Sequence, residues 1–140
     1  GLHEHLFDEE SLAAFEDSEY RIMPQSDRMG YRLSGRPLQL REPVTLLSEA
    51  VTFGTVQVPP DGHPIVLGAD RQTTGGYPVI AQIITADLPL LAQAQIGSIL
   101  RFRKPDLADA EVQLREQKQQ LRQLQTSLQA YVSSAMGSLR

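Results

Sequence analysis

The sequence contains no cysteine and no tryptophan. Without cysteine there is no disulfide framework, no thiolate metal site and no sulfur nucleophile, which fits a reducing compartment, and the cytoplasm is the expected location. Basic residues are few and dispersed: 13 Lys and Arg stand against 17 Asp and Glu, for a formal charge of −4. With no basic run to neutralise a phosphate backbone, nucleic acid is not an expected partner. Long apolar runs are missing too. The most apolar stretch, Pro78 to Ile99, is broken by Gln82, Thr85, Asp87, Gln93 and Gln95, so it does not read as a membrane span. The opening Gly1-Leu2-His3-Glu4-His5 has no basic region followed by an apolar core, so no secretory leader is read there.

What is present is an ordinary globular composition, with 41% apolar and 21% charged residues in 140. That is enough chain for one domain with a core and too little for two of usual size. Near the start, Asp8 can cap a short helix to Glu16, with Glu9 and Glu10 in its first turn and Leu12 and Phe15 on one face. Tyr20, Ile22 and Pro24 then alternate with polar residues, the pattern of a half-buried strand.

Between Gly30 and Pro64, glycine and proline recur so often that only short extended pieces fit between turns. The expected strands are Tyr31 to Leu33, Val51 to Phe53, Thr55 to Val58 and Ile65 to Leu67, with a turn at Pro60-Asp61-Gly62. A polar loop from Asp70 to Tyr77 leads into Val79, Ile80, Ile83 and Ile84, which read as a buried strand. Asp87 is expected to cap a short helix through Leu90, Leu91 and Ala94, and Ser98 to Arg103 reads as a last strand. Beyond Pro105, Asp106 or Asp109 can cap a long helix. Leu107, Leu114, Leu121 and Leu128 form a narrow seam along it, with Leu124 and Tyr131 beside them, a face suited either to packing along the domain or a partner or to self-association between chains. The organisation expected is thus a mainly β domain over 1–105 and a helix over 106–140.

Three stretches could carry chemistry. In Gln72-Thr73-Thr74-Gly75-Gly76-Tyr77-Pro78, preceded by Asp70, paired glycines let backbone N–H groups approach a carboxylate or carbonyl, while the hydroxyls and amide add donors. The same residues also make an ordinary turn. In Ser26-Asp27-Arg28-Met29-Gly30, Arg28 can grip a carboxylate through its planar fork, with Asp27 orienting it or accepting a proton. An Asp-Arg step equally often makes a structural ion pair or an Asx-turn. His3-Glu4-His5 looks like part of a metal site, but two ligands make half a site at best and no metal is expected. Self-contained hydrolase and nucleotide motifs are absent.

Read together, several phrases resemble one family. These are Ser26 to Gly35, Ser48-Glu49-Ala50-Val51, Gly54 to Gly62, Pro64 to Leu67, and Asp70 with Gln72 to Pro78. Asp87-Leu88-Pro89, Ala92-Gln93, Gly97 and Arg101-Phe102 follow in the same order. Over roughly residues 20 to 105 the chain is similar to the C-terminal half of the allophanate hydrolase subunit 2 family, the carboxyltransferase-type proteins. The resemblance implies a cyclophilin-like β-barrel, partial or as a single subdomain, with short helices beside it.

The resemblance also implies a component of an ATP-dependent 5-oxoprolinase complex, which opens 5-oxoproline to glutamate. Its partner would be an allophanate hydrolase subunit 1, KipI-like protein, with a third subunit beside them. ATP would be used by the complex and no cofactor bound by this chain. Two alternatives stay open: a biotin-dependent carboxyltransferase acting on urea or a related amide, and a KipA-like regulator that binds a kinase inhibitor. By matching motif, Asp27, Arg28 and Tyr77 are the implied catalytic residues. Gln57, Pro60, Asp70, Gln72, Thr73, Thr74, Gly75 and Gly76 are the implied substrate-binding ones. Urea, 5-oxoproline and other small amides all present a carbonyl and an N–H, so these residue types do not choose among them.

Overall fold

The computed structural model describes residues 1–137; in its last helix the side chains of Leu107, Asp109, Ala110, Gln113, Ser127 and all those from Gln129 onward lie outside the description. The chain divides into two units, Gly1–Lys104 and a second beginning at Pro105.

Helix α1 spans Glu9–Asp17 and starts where an acidic cap predicts it. The Asp8 carboxylate accepts from the Ser11 backbone N–H at 2.6 Å, and Ser11, Ala14 and Phe15 form the buried face. That hydrogen bond, first of all, holds the Asp8 carboxyl below its ordinary 3.8. A depressed carboxylate stabilises the fold above its ordinary range and loses that contribution as the pH falls through the folded value. Asp8→Ala is therefore expected to lower Tm at neutral pH, with the gap to wild type closing below about pH 3.8. Thermal melts of both proteins from neutral to acid pH would show it, and a gap independent of pH would contradict it.

Eight short strands follow: β1 Tyr20–Ile22, β2 Gly30–Ser34, β3 Glu49–Ala50, β4 Thr55–Gln57, β5 Ile65–Leu67, β6 Thr74–Gly75, β7 Val79–Gln82 and β8 Ile99–Leu100. Six make an antiparallel sheet in the order β7-β4-β5-β2-β1-β8, and β3 pairs with β6 in a separate ribbon. The architecture is the mainly β half-barrel expected. Its centre is a three-strand register in which Val56 faces Val66 and Val66 faces Tyr31, while the β4–β7 pairing shifts between Val56 and Gln57 at a bulge. Gly62, at φ 78°, closes the β4–β5 turn by donating its N–H to Pro59 O. Positive φ at that position explains the glycine.

Alternation puts Tyr20 and Ile22 inward and Arg21 outward. With Phe7, Leu33, Val56, Val66 and Ile80 they form the core. Phe15 stacks on Phe102 with centroids 4.4 Å apart, and Tyr20 lies against both rings.

Some local expectations shift. The strand expected at Val51 to Phe53 lies earlier, at Glu49–Ala50, because Thr52 to Thr55 closes as a turn: the Thr52 and Thr55 hydroxyls both donate to Gln82 Oε1. The polar loop after Asp70 contains β6, which no side-chain pattern announces. Strand β7 ends at Gln82, leaving Ile83 and Ile84 outside it. Helix α2, Leu88–Ala92, is not capped by the Asp87 side chain. Residues Thr85–Asp87 form a 3-10 turn, and Pro89 supplies the helix-ready φ of a first turn. The last strand contracts from Ser98–Arg103 to Ile99–Leu100.

The second unit holds α3, Leu107–Gly137. Asp106 Oδ1 accepts from Ala108 N at 3.1 Å, so of the two caps considered this carboxylate does the work. Of the leucine seam, Leu121, Leu124 and Leu128 are exposed, Leu114 is half-buried, and the Leu107 and Tyr131 side chains lie outside the described residues. Among the described residues no helix is long and apolar enough to cross a membrane.

Candidate functional site

The expected site residues fall into two groups. The first sits where β2 begins and β5 ends. Asp27 folds its carboxylate back onto its own chain, accepting from Met29 N at 2.8 Å and Gly30 N at 3.2 Å, an Asx-turn that starts β2. Its neighbour Arg28 instead reaches Asp70, with Nε 2.8 Å from Oδ2, and the backbones agree, since Asp70 N donates to Arg28 O at 3.1 Å. The Arg28 side chain is 84% exposed and that of Asp70 50%. With the Arg28 side chain this exposed, its fork remains accessible to a carboxylate. An ion pair this exposed contributes little to stability. Gly68, between the two, allows the approach: a Cβ there would lie 2.2 Å from Arg28 O.

The second group lies at the other end of the same strands. Gln57 ends β4 opposite Val79, and its side chain, 5% exposed, donates from Nε2 to Tyr77 O at 3.4 Å. Gly75, on β6, presses on it: a Cβ would sit 2.4 Å from Gln57 Nε2. The missing side chain at Gly75 is thus used within the protein, to seat Gln57. Gly76 is different. A Cβ there would only reach ordinary contact with Ser48 Oγ at 3.6 Å and Leu46 O at 3.7 Å, so no neighbour requires the glycine. Tyr77 keeps its ring 47% exposed, beside Pro78, whose carbonyl accepts from Val58 N. Gln72, Thr73 and Thr74 are exposed, with Thr73 O accepting from Val51 N, and Pro60 is exposed in the β4–β5 turn.

The sheet register separates the groups. Leu67, next to Gly68, pairs with Gly30 at one end of β5, while Ile65 pairs with Gln57 at the other. Arg28 and Asp70 are therefore brought together at one end of β5, as are Gln57, Gly75 and Tyr77 toward the other. A shallow groove of about 280 Å³ opens elsewhere, between Met23, Gln25, Arg32, Ser34, Asp61 and His63. It is not legible in the sequence, because strand β2 supplies Arg32 and Ser34 while Met23, Gln25, Asp61 and His63 come from turns distant along the chain. Glu49 was also overlooked; opposite Gly75 on β3, it is 3.5 Å from the His3 imidazole.

With this geometry in view, the comparisons with known proteins define the class. Residues 1–104 match the family described as carboxyltransferase domain, subdomain A and B, and the chain belongs to that family. It is 53% identical over 93 residues to a 5-oxoprolinase subunit of Haemophilus influenzae, a match that covers 66% of this chain and 30% of that protein. It is 45% identical over 120 residues to the 5-oxoprolinase subunit of the same name in Escherichia coli, covering 86% of this chain and 39% of that protein. The chain thus matches about a third of their length, less than the half its resemblance implied. Among solved structures, the Kluyveromyces lactis urea carboxylase aligns over 76% of this chain and 10% of its own, with TM-score 0.71 and 22% identity, a likeness of fold.

Proposed function

We propose that this chain serves in a 5-oxoprolinase, as part of the subunit that acts with a KipI-like partner in ATP-dependent opening of 5-oxoproline to glutamate. The observation that carries the reading is the 53% identity with a 5-oxoprolinase subunit. The site chemistry is compatible with it. Arg28, beside Asp70 and largely exposed, would hold the substrate carboxylate. The Gly76 backbone would face the lactam carbonyl as negative charge develops on its oxygen, and the exposed Tyr77 would pack beside it and donate. A partner surface would close over these exposed residues and exclude water.

The test is to assemble the chain with a KipI-like protein and the third subunit, and to measure ATP-dependent glutamate formation. Arg28→Ala should lower kcat/KM by about ten-fold or more, the value of a lost charge-assisted contact, while leaving Tm unchanged. Full activity in Arg28→Ala would remove the carboxylate role. Carboxyl transfer from a carboxylated biotin carrier, with no glutamate formed, would replace the reading by the carboxyltransferase one. Capture of the KipI-like protein without turnover of either kind would replace it by the regulatory one.

A further inference from the structure

The first residues of the chain fold back onto the segment that carries Tyr77. His3 makes two bonds to one residue: its backbone N–H donates to Val79 O at 2.9 Å, and its imidazole Nδ1 accepts from Val79 N at 3.1 Å. A nitrogen that accepts carries no proton, so the single proton of the neutral ring is on Nε2. Nε2 lies 3.5 Å from Glu49 Oε2. Val79 comes two residues after Tyr77, and Glu49 stands opposite Gly75 in the β3–β6 ribbon. One side chain, only 12% exposed, therefore touches Val79 just past the Thr74 to Tyr77 segment and Glu49 across the ribbon from it.

We propose that His3, neutral and protonated on Nε2, is a positioning residue that holds the Thr74–Tyr77 segment in place. Its importance for catalysis rests on the reading that this segment belongs to the active site. Without the imidazole, the Val79 N–H loses its side-chain acceptor and Glu49 loses its neighbour.

Amide hydrogen exchange at Val79, corrected for the intrinsic rate, tests this on the full chain without any activity assay. Loss of one hydrogen bond should speed Val79 exchange about five-fold in His3→Ala relative to wild type. His3→Asn places an oxygen acceptor near the Nδ1 position, so its Val79 protection should stay near the wild-type level. Unchanged Val79 protection in His3→Ala, or protection lost equally in His3→Asn and His3→Ala, would overturn the proposal. Should the alanine variant fail to fold, His3→Phe, which keeps a ring and lacks the acceptor, takes its place in the comparison with His3→Asn. If the exchange results hold but the assembled complex is equally active with His3→Ala, the latch stands and the assignment of Thr74 to Tyr77 to the active site falls.

Discussion

Replacing Tyr20 by alanine is expected to remove about 3–5 kcal/mol of stability, the usual cost of truncating a large buried aromatic, against a total of about 5–15 kcal/mol for a domain. Tyr20 has no exposed surface and is among the largest fully buried side chains. Its ring lies 5.7 Å from that of Phe102 and 6.0 Å from that of Phe15, so its loss opens a cavity among three rings contributed by α1, β1 and the segment after β8. The hydroxyl donates to Arg36 O at a long 3.4 Å, and burial pushes its pKa up. Tyr20→Phe keeps the ring and should lose far less. Denaturant unfolding of the two variants beside wild type would decide, and equal losses would mean that the hydroxyl matters more than the packing.

Gly68→Ala is expected to act at the point where fold and site meet. The new methyl would come within 2.2 Å of Arg28 O and 2.9 Å of Arg28 C, which are backbone atoms that cannot rotate away. The β2 and β5 ends would have to separate, straining the Gly68 N to Met29 O bond at 2.8 Å and the Asp70 N to Arg28 O bond at 3.1 Å. Overpacking of this kind costs about 1–3 kcal/mol. The Arg28–Asp70 pair should separate as well, so an assembled complex would lose activity beyond what the lower stability explains. For stability alone Gly76→Ala is the control, since its methyl meets only Ser48 Oγ at 3.6 Å and Leu46 O at 3.7 Å. Melting curves that fail to distinguish the two substitutions would contradict the steric account.

Much of the framework was legible because it is written locally. Asp8 announces α1 through its own hydrogen bond, Gly62 announces the β4–β5 turn through its φ, and Ile65–Leu67 is extended as its branched residues require. The half-barrel itself became legible through order of phrases, a resemblance that the family match supports. What stayed hidden depends on pairings between distant residues. Thr74–Gly75 is a strand only because Glu49–Ala50 lies beside it. Asp27 beside Arg28 in sequence suggested a working pair, yet the folded chain gives Arg28 to Asp70 and turns Asp27 inward on its own backbone. Gly75 invited a ligand on paper and admits Gln57 in space. His3 read as half a metal site, and its Nδ1 is occupied by the Val79 amide.

The strand order has a consequence for how the chain is made. Strand β1 is flanked by β2, which follows it closely, and by β8, which pairs Leu100 with Tyr20 across most of the unit. Pairing so distant must meet a large loop-closure entropy before any contact rewards it, which places this edge of the sheet among slow folding steps. On the ribosome, Phe15 and Tyr20 emerge before Phe102, which stacks on one and abuts the other. Until it does, two aromatic rings lack their cover. Such a nascent surface is where a chaperone binds or aggregation begins.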